Sequence, residues 1–295
     1  MLLSTSTNVL AKAFSHKDAI RIIKESGFDA FDMSLCEMLT NKDSIFNTDD
    51  YLNYANELRA YADSIGIVCN QAHAPFHSST GKPDEDEEIF QKIVRSMEIA
   101  SVLGARVIIV HPKQHLKHAE FADEHFEMNV QFYTRLASYA EKFGIKVATE
   151  NMWQYNKNTW QIIDAPCSRP REFCKYVDAI NSKWIVACFD IGHAALVGEN
   201  IPDFIRKLGN RRLQALHVSD NEFLTDAHKL PFEQKIDFVE VAKVLAEIGY
   251  EGDFTFEADG TYKQRPKELY KASATYMAEV GRYLIAEIEK AKSNI

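Results

Sequence analysis

An eight-stranded parallel β/α barrel is the fold class this sequence predicts, on three observations. Short apolar runs alternate with amphipathic stretches along the whole chain, the pattern of a parallel sheet with crossover helices. Most of these runs stop at an acid or an imidazole: His73 in QAHAPF, His111 in VIIVHP, Glu150 in VATEN, Asp190 and His193 in ACFDIGH, His217 in LHVSD and Glu257 in FTFEAD. The alternation gives eight strands and eight helices within 295 residues, which suits one closed barrel spanning 1–295 as a single domain. A doubly wound open sheet is the alternative for the same alternation.

The elements follow in order. A strand near Leu2–Thr7 leads to a helix opening at Ser15, where Ser15 and Asp18 have capping-box spacing. FDAFDMSL is the second strand, and DDYLNYANELRAYADSIG its helix, stopped by Gly66. IVCNQAHAPF is the third strand, followed by the helix EDEEIFQKIVRSMEIASVLG. ARVIIVHP, apolar on both faces, is the fourth. A long helix from about Glu120 to Gly144 precedes the fifth strand, IKVATEN. The next helix lies near SRPREFCKYVDAI, with Ser168 as its expected cap and Pro170 in its first turn. WIVACFDIGH is the sixth strand and PDFIRKLG its helix; LQALHVSDN is the seventh, followed by IDFVEVAKVLAEIGY. GDFTFEAD is the eighth, and a terminal helix runs from about Pro266 to Lys292.

Composition narrows the function. With 46% hydrophobic and 26% charged residues the chain reads as an ordinary globular enzyme, and its net charge of -9 argues against general nucleic-acid binding. The five cysteines (36, 69, 167, 174, 188) are odd in number and lack CxxC spacing, which fits a reduced, cytoplasmic protein. The start MLLSTSTNVLAKAF is expected not to be a signal peptide, and no apolar run is long enough for a membrane span. The sequence leaves a homo-oligomer open.

In a parallel barrel the carboxyl ends of all strands meet at one face, so the strand-end ligands converge. Glu150 and Glu257 can ligate a metal and exchange protons with a substrate held between them. Asp190 and His193 form an Asp-x-x-His in which Gly192 is expected to permit a sharp turn. His217, His73 and His111 end strands in the same manner, His73 and His111 being candidate substrate contacts, and Asp226 and His228 form an Asp-x-His in the loop after the seventh strand. Trp153 and Tyr155, just beyond Glu150, are read either as a wall for the apolar face of a sugar ring or as loop packing anchors. His115, His118 and His125 lie among Lys117, Glu120 and Glu124, on the helix after the fourth strand or the approach to it, and are expected on a solvated face. Substituting His118 by alanine should then be silent. His16 and His77 are read as surface residues, and Cys188 as a buried structural thiol.

The VATEN, FDIGHA, LHVSD and FEAD segments, in this order, resemble the xylose isomerase-like TIM-barrel superfamily, over nearly the whole chain. The family contains sugar isomerases and epimerases, inosose dehydratase-type lyases and the endonuclease IV nucleases. The resemblance to the epimerases implies one divalent metal (Mn2+, Mg2+, Co2+ or Zn2+) on Glu150, Asp190, His217 and Glu257. It implies that His193 contacts substrate and that the two glutamates are the acid/base pair, passing protons through a metal-stabilised cis-enediolate. The substrate is then a small sugar, sugar phosphate or sugar-derived compound. The resemblance to endonuclease IV implies instead three zinc ions, with His73, His111, His193, Asp226 and His228 as additional ligands. Two departures oppose the nuclease. Pro231-Phe232-Glu233-Gln234 stands where that family often has Pro-Gly-x-Gly, and CEMLTNKDSIFNTDD sets Lys42 against Glu37, Asp43, Asp49 and Asp50. A non-enzymatic sugar-binding barrel would not need paired glutamates around a metal.

Overall fold

The computed structural model describes residues 1–294. Eight parallel strands form one barrel: β1 (Leu3–Ser6), β2 (Ala30–Ser34), β3 (Val68–His73), β4 (Val107–Ile109), β5 (Lys146–Glu150), β8 (Ile185–Asp190), β9 (Leu213–His217) and β10 (Phe254–Phe256). The two strands missing from that series, β6 (Trp153–Tyr155) and β7 (Ile162–Asp164), make an antiparallel hairpin beyond β5. The barrel strands pair in chain order, and β10 returns to β1 with Leu3 opposite Phe254. The last seam is narrow. Val218 bridges to Phe256, its N–H donating to the Thr255 carbonyl at 3.0 Å while the Glu257 N–H donates back to Val218 at 3.2 Å.

The helices are α1 (Asn8–Ala13), α2 (His16–Glu25), α3 (Glu37–Thr40), α4 (Tyr51–Ile65), α5 (Pro83–Leu103), α6 (Ala122–Phe143), α7 (Pro170–Ile180), α8 (Ile191–Leu196), α9 (Ile201–Arg212), α10 (Phe238–Glu247) and α11 (Tyr270–Lys292). Ser15 caps α2 as its spacing predicts, accepting from the Asp18 N–H. Gly66 ends α4 with φ 69, a conformation in which a Cβ would be strained. Ser168 does not cap α7: Arg169 holds that position, and the Ser168 hydroxyl accepts from the Ala165 N–H instead. No helix among the described residues is long and apolar enough to cross a membrane.

The alternation of side chains along each strand positions the site. Val107, Ile109, Ala148, Val186, Cys188 and Ala215 form a small buried cluster of their own, while the intervening Ile108, Val147 and Ala187 belong to the large core. Side chains two apart share a face, so the small cluster is the barrel interior. Continuing each inward row by two residues reaches His111, Glu150, Asp190 and His217. The register agrees, with Glu150 opposite Cys188 and Asp190 opposite His217.

Candidate metal and proton-transfer centre

Inward strand parity brings one ligand atom each from Glu150, Asp190, His217 and Glu257 within 4.8 Å of one another. His217 sits at the middle. Its Nδ1 lies 3.0 Å from Glu150 Oε1, 3.3 Å from Glu257 Oε2 and 3.9 Å from Asp190 Oδ2. Glu150, Asp190 and His217 are fully buried, whereas the Glu257 side chain keeps 21% of its exposure. Three carboxylates crowded in a dry space repel one another and invite a counter-ion. Asp190 Oδ2 is buried with no hydrogen-bond partner among the described residues, although such oxygens are almost always satisfied. An oxygen-rich set with one imidazole suits a divalent cation, so the residues present fit the ion their pattern implies.

The backbone locks these side chains. Asp190 caps α8, its Oδ1 accepting from the His193 N–H at 2.6 Å. Asn151 fastens β5 to β8, accepting from the Asp190 N–H at 2.8 Å and donating to the Asp190 carbonyl at 2.9 Å. Gly192 is needed for closeness and not for a turn of positive φ: a Cβ there would stand 2.7 Å from Ser219 Oγ.

The remaining sequence-nominated histidines surround the four. His111 Nε2 lies 3.1 Å from Glu150 Oε2. His193 donates from Nδ1 to the Asn151 carbonyl at 2.9 Å, and its Nε2 faces Asp226 at 3.6 Å. Asp226 also lies 3.0 Å from His228 Nε2, so His193, Asp226 and His228 form a second group with ligand spacing. His73 stacks on His217 at 4.5 Å with the rings 13° from parallel. Trp153, half-buried on β6, meets His193 edge to face at 6.4 Å, and Tyr155 packs beyond it at the open side.

The electrostatics separate the acids. Burial acts to raise the Glu150 carboxyl, but the His217 and His111 imidazoles outweigh it and hold Glu150 well below the usual carboxylate range. Burial raises Asp190 to about 6; His193 opposes that shift, and the like charges of Glu150 and Glu257 add to it. Burial would lower His193, yet Asp190 and Asp226 hold it well above an ordinary imidazole. His228 likewise overcomes its burial through Asp226 and rises to about 10.

Several sequence expectations are corrected. His118 and His125 are buried, not solvated: their Nδ1 atoms lie 3.1 Å apart, and His118 Nε2 lies 3.1 Å from Glu172. The hairpin, unforeseen in the sequence, holds the segment that carries His118: Gln154 of β6 accepts from the His118 N–H at 3.2 Å and donates to the Gln114 and Leu116 carbonyls. His115 is exposed, as expected. His16 is half-buried against Phe46 and Tyr54, whereas His77 is exposed. Cys188 is buried within β8. The sequence reading missed Asp32 and Gln71, both buried on inward rows of β2 and β3. An acid between Phe31 and Met33 in AFDMS was the available signal. A cavity of about 690 Å3, lined by Asn70, Arg106, Lys146, Gln214 and Asp253, opens at the other end of the barrel, away from the strand-end ligands.

Comparison with known proteins bears on the family and the fold. A family model for the xylose isomerase-like TIM barrel matches residues 20–280. An uncharacterized protein of Methanocaldococcus jannaschii, MJ1311, is 30% identical over 80% of this chain and 76% of its own. Fructoselysine 3-epimerase of Escherichia coli O157:H7 is 22% identical over 87% of this chain and 90% of its own. Inosose dehydratase of Clostridium botulinum is 24% identical over 70% and 75%. Among solved structures, a D-tagatose 3-epimerase-like protein superposes with a TM-score of 0.76 at 24% identity, over 98% of this chain and 99% of that one. The IOLI protein, with a zinc atom, superposes at 0.73 and 19% identity over 98% and 99%. Both likenesses establish the fold.

Proposed function

The chain belongs to the xylose isomerase-like TIM-barrel family, and from that premise we propose that it is a divalent-metal-dependent isomerase or epimerase of a sugar or sugar-derived keto compound. The observation that carries this reading is the pair of strand-end glutamates, Glu150 and Glu257, gathered with Asp190 around His217. Those four residues would hold the cation. When bound, it polarises the substrate carbonyl and the neighbouring hydroxyl and offsets charge that develops on them.

The protein groups move the protons. Glu150, fully buried at the end of β5, is the base toward a carbon next to the carbonyl. Glu257 comes from the end of β10 and keeps contact with solvent, so it returns a proton that can exchange with water. Proton removal on one side and return on the other inverts a carbon; return to the neighbouring carbon moves the carbonyl. His193, fixed through its Nδ1 by the Asn151 carbonyl, orients a substrate oxygen, and Trp153 walls the ring's apolar face.

One observation favours a second reading. The His193, Asp226 and His228 group has ligand spacing of its own, which would suit a multi-zinc phosphodiesterase. The dehydratase reading uses the same proton removal and then expels a hydroxyl. The protein, loaded in turn with Mn2+, Mg2+, Co2+ and Zn2+, should be incubated in D2O with a panel of ketoses and their phosphates. One deuterium appearing beside the carbonyl, with an isomeric product of unchanged mass apart from the label, is the expected result. Loss of water indicates the dehydratase. No exchange on any sugar, together with cleavage of abasic DNA, overturns the proposal in favour of the nuclease.

A further inference from the structure

Asp32 is a fully buried acid on the inward row of β2, and it stands outside the four ligands just described. Burying a carboxylate is costly unless it is paired, and an apolar side chain would pack the strand as well. Its surroundings give the reason. Asp32 Oδ2 accepts from Gln71 Nε2 at 3.0 Å and lies 2.7 Å from His73 Nδ1, a close charge contact without the alignment of a hydrogen bond. At the far edge of the same imidazole, His73 Nε2 faces Glu257 Oε1 at 3.5 Å, while the other oxygen, Glu257 Oε2, is the one that faces His217. The chain of contacts therefore runs from a buried anion, through a ring held flat against His217, to the oxygen that Glu257 does not turn to the centre.

We propose that Asp32 is a positioning residue: it orients His73, and His73 orients the Glu257 carboxylate. This rests on the reading of Glu257 as a cation ligand. A glutamate that is partly exposed loses side-chain freedom when it binds an ion; a ring standing 3.5 Å from Oε1 narrows that freedom beforehand and favours Oε2 toward the cation. Outer contacts of this kind, in which a histidine or carboxylate braces a ligand, commonly change metal affinity by about 10- to 100-fold. Asp32, His73 and His217 also lie within ligand distance of one another, so a direct role of Asp32 on a second cation is the competing outcome.

The test uses the metal alone. Co2+ is titrated into the ion-free wild type and D32N, with affinity from chelator competition, stoichiometry by elemental mass spectrometry and ligand geometry from the cobalt absorption band. The expected result is an unchanged stoichiometry, an affinity lowered about 10- to 100-fold and a shifted band. H73Q should weaken binding similarly, and the double variant should lose little more than either single one, because both act through one chain of contacts. Unchanged affinity and spectrum in D32N overturn the proposal. Loss of one cation equivalent overturns it too and makes Asp32 a ligand. A wild type that takes up no cation defeats the reading of the centre itself, and the proposal with it. If D32N does not fold, H73Q alone decides: unchanged affinity and spectrum there are equally contrary.

Discussion

Glu150 and His217 stand 67 positions apart in the sequence and meet at 3.0 Å, Oε1 to Nδ1, with neither side chain exposed. Each continues an inward row whose previous member, Ala148 or Ala215, packs the barrel interior. The contact thus follows from strand parity and from the shared height of two strand ends. It places a buried acid against the imidazole that the other carboxylates also approach.

The first expectation concerns the glutamates. Glu150→Gln and Glu257→Gln preserve side-chain size but remove the ability to exchange a proton. Each should lower kcat by about 10²- to 10⁴-fold. Circular dichroism should show an unchanged fold, and wild-type turnover in either variant would remove its proposed role.

The second concerns the cation and stability. A ligand at 100 times its Kd stabilises the native state by about 2.7 kcal/mol. Adding the physiological metal to ion-free protein should therefore raise Tm by on the order of 5 °C. His217→Ala, which removes the imidazole central to the four ligands, should abolish that rise. A metal-dependent shift of wild-type size in this variant would place the ion elsewhere.

Much of this was legible in the chain. The barrel strands and the residues that converge are legible because a polar ligand after an apolar run marks most strand ends, and the Ser15 cap because Asp18 stands three residues on. The rest depends on tertiary packing. Trp153–Tyr155 and Ile162–Asp164 are too short to show a period, so neither the hairpin nor its hold on the His118 segment is legible in the sequence. Their polar neighbours Lys117, Glu120 and Glu124 are solvated, which disguised two buried imidazoles. Asp32 is not marked as a site residue in the sequence because it lies within its strand, between Phe31 and Met33, and not at a strand end.

The third expectation follows from that buried pair. His125 is lowered to about 4 by burial first, then by His118 and His115. The folded state therefore keeps it neutral where the unfolded chain, with an ordinary imidazole near 6.5, takes up a proton. Its contribution to stability is present above about 6.5 and is lost as pH falls toward 4. Denaturant titrations across that window should show stability declining, and His125→Phe should flatten the decline. An unchanged slope in the variant would mean another group carries it.

The fourth revises the expectation for His118. Its removal leaves Glu172 and His125 facing each other's surroundings without the ring between them, and buried polar groups left unpaired cost about 1–3 kcal/mol each. His118→Ala should lower stability by that order in denaturant unfolding. A silent substitution would show that the cluster is not held together as described.

The fifth concerns a close approach. Gly260, in the turn after Glu257, has no room for a Cβ, which would overlap the Ala227 and His228 carbonyls. Gly260→Ala should displace the loop carrying Asp226 and His228 and destabilise the protein by about 1–3 kcal/mol. Unaltered stability and substrate KM would show that the loop yields freely.

Metal content tests the central claim most directly. Elemental mass spectrometry on protein purified without chelators or an affinity-metal column should find one divalent ion per chain, lost in His217→Ala. Three zinc ions per chain would contradict the single-ion proton-transfer centre and favour phosphodiester cleavage, and a chain active on a sugar with no bound metal would contradict it outright.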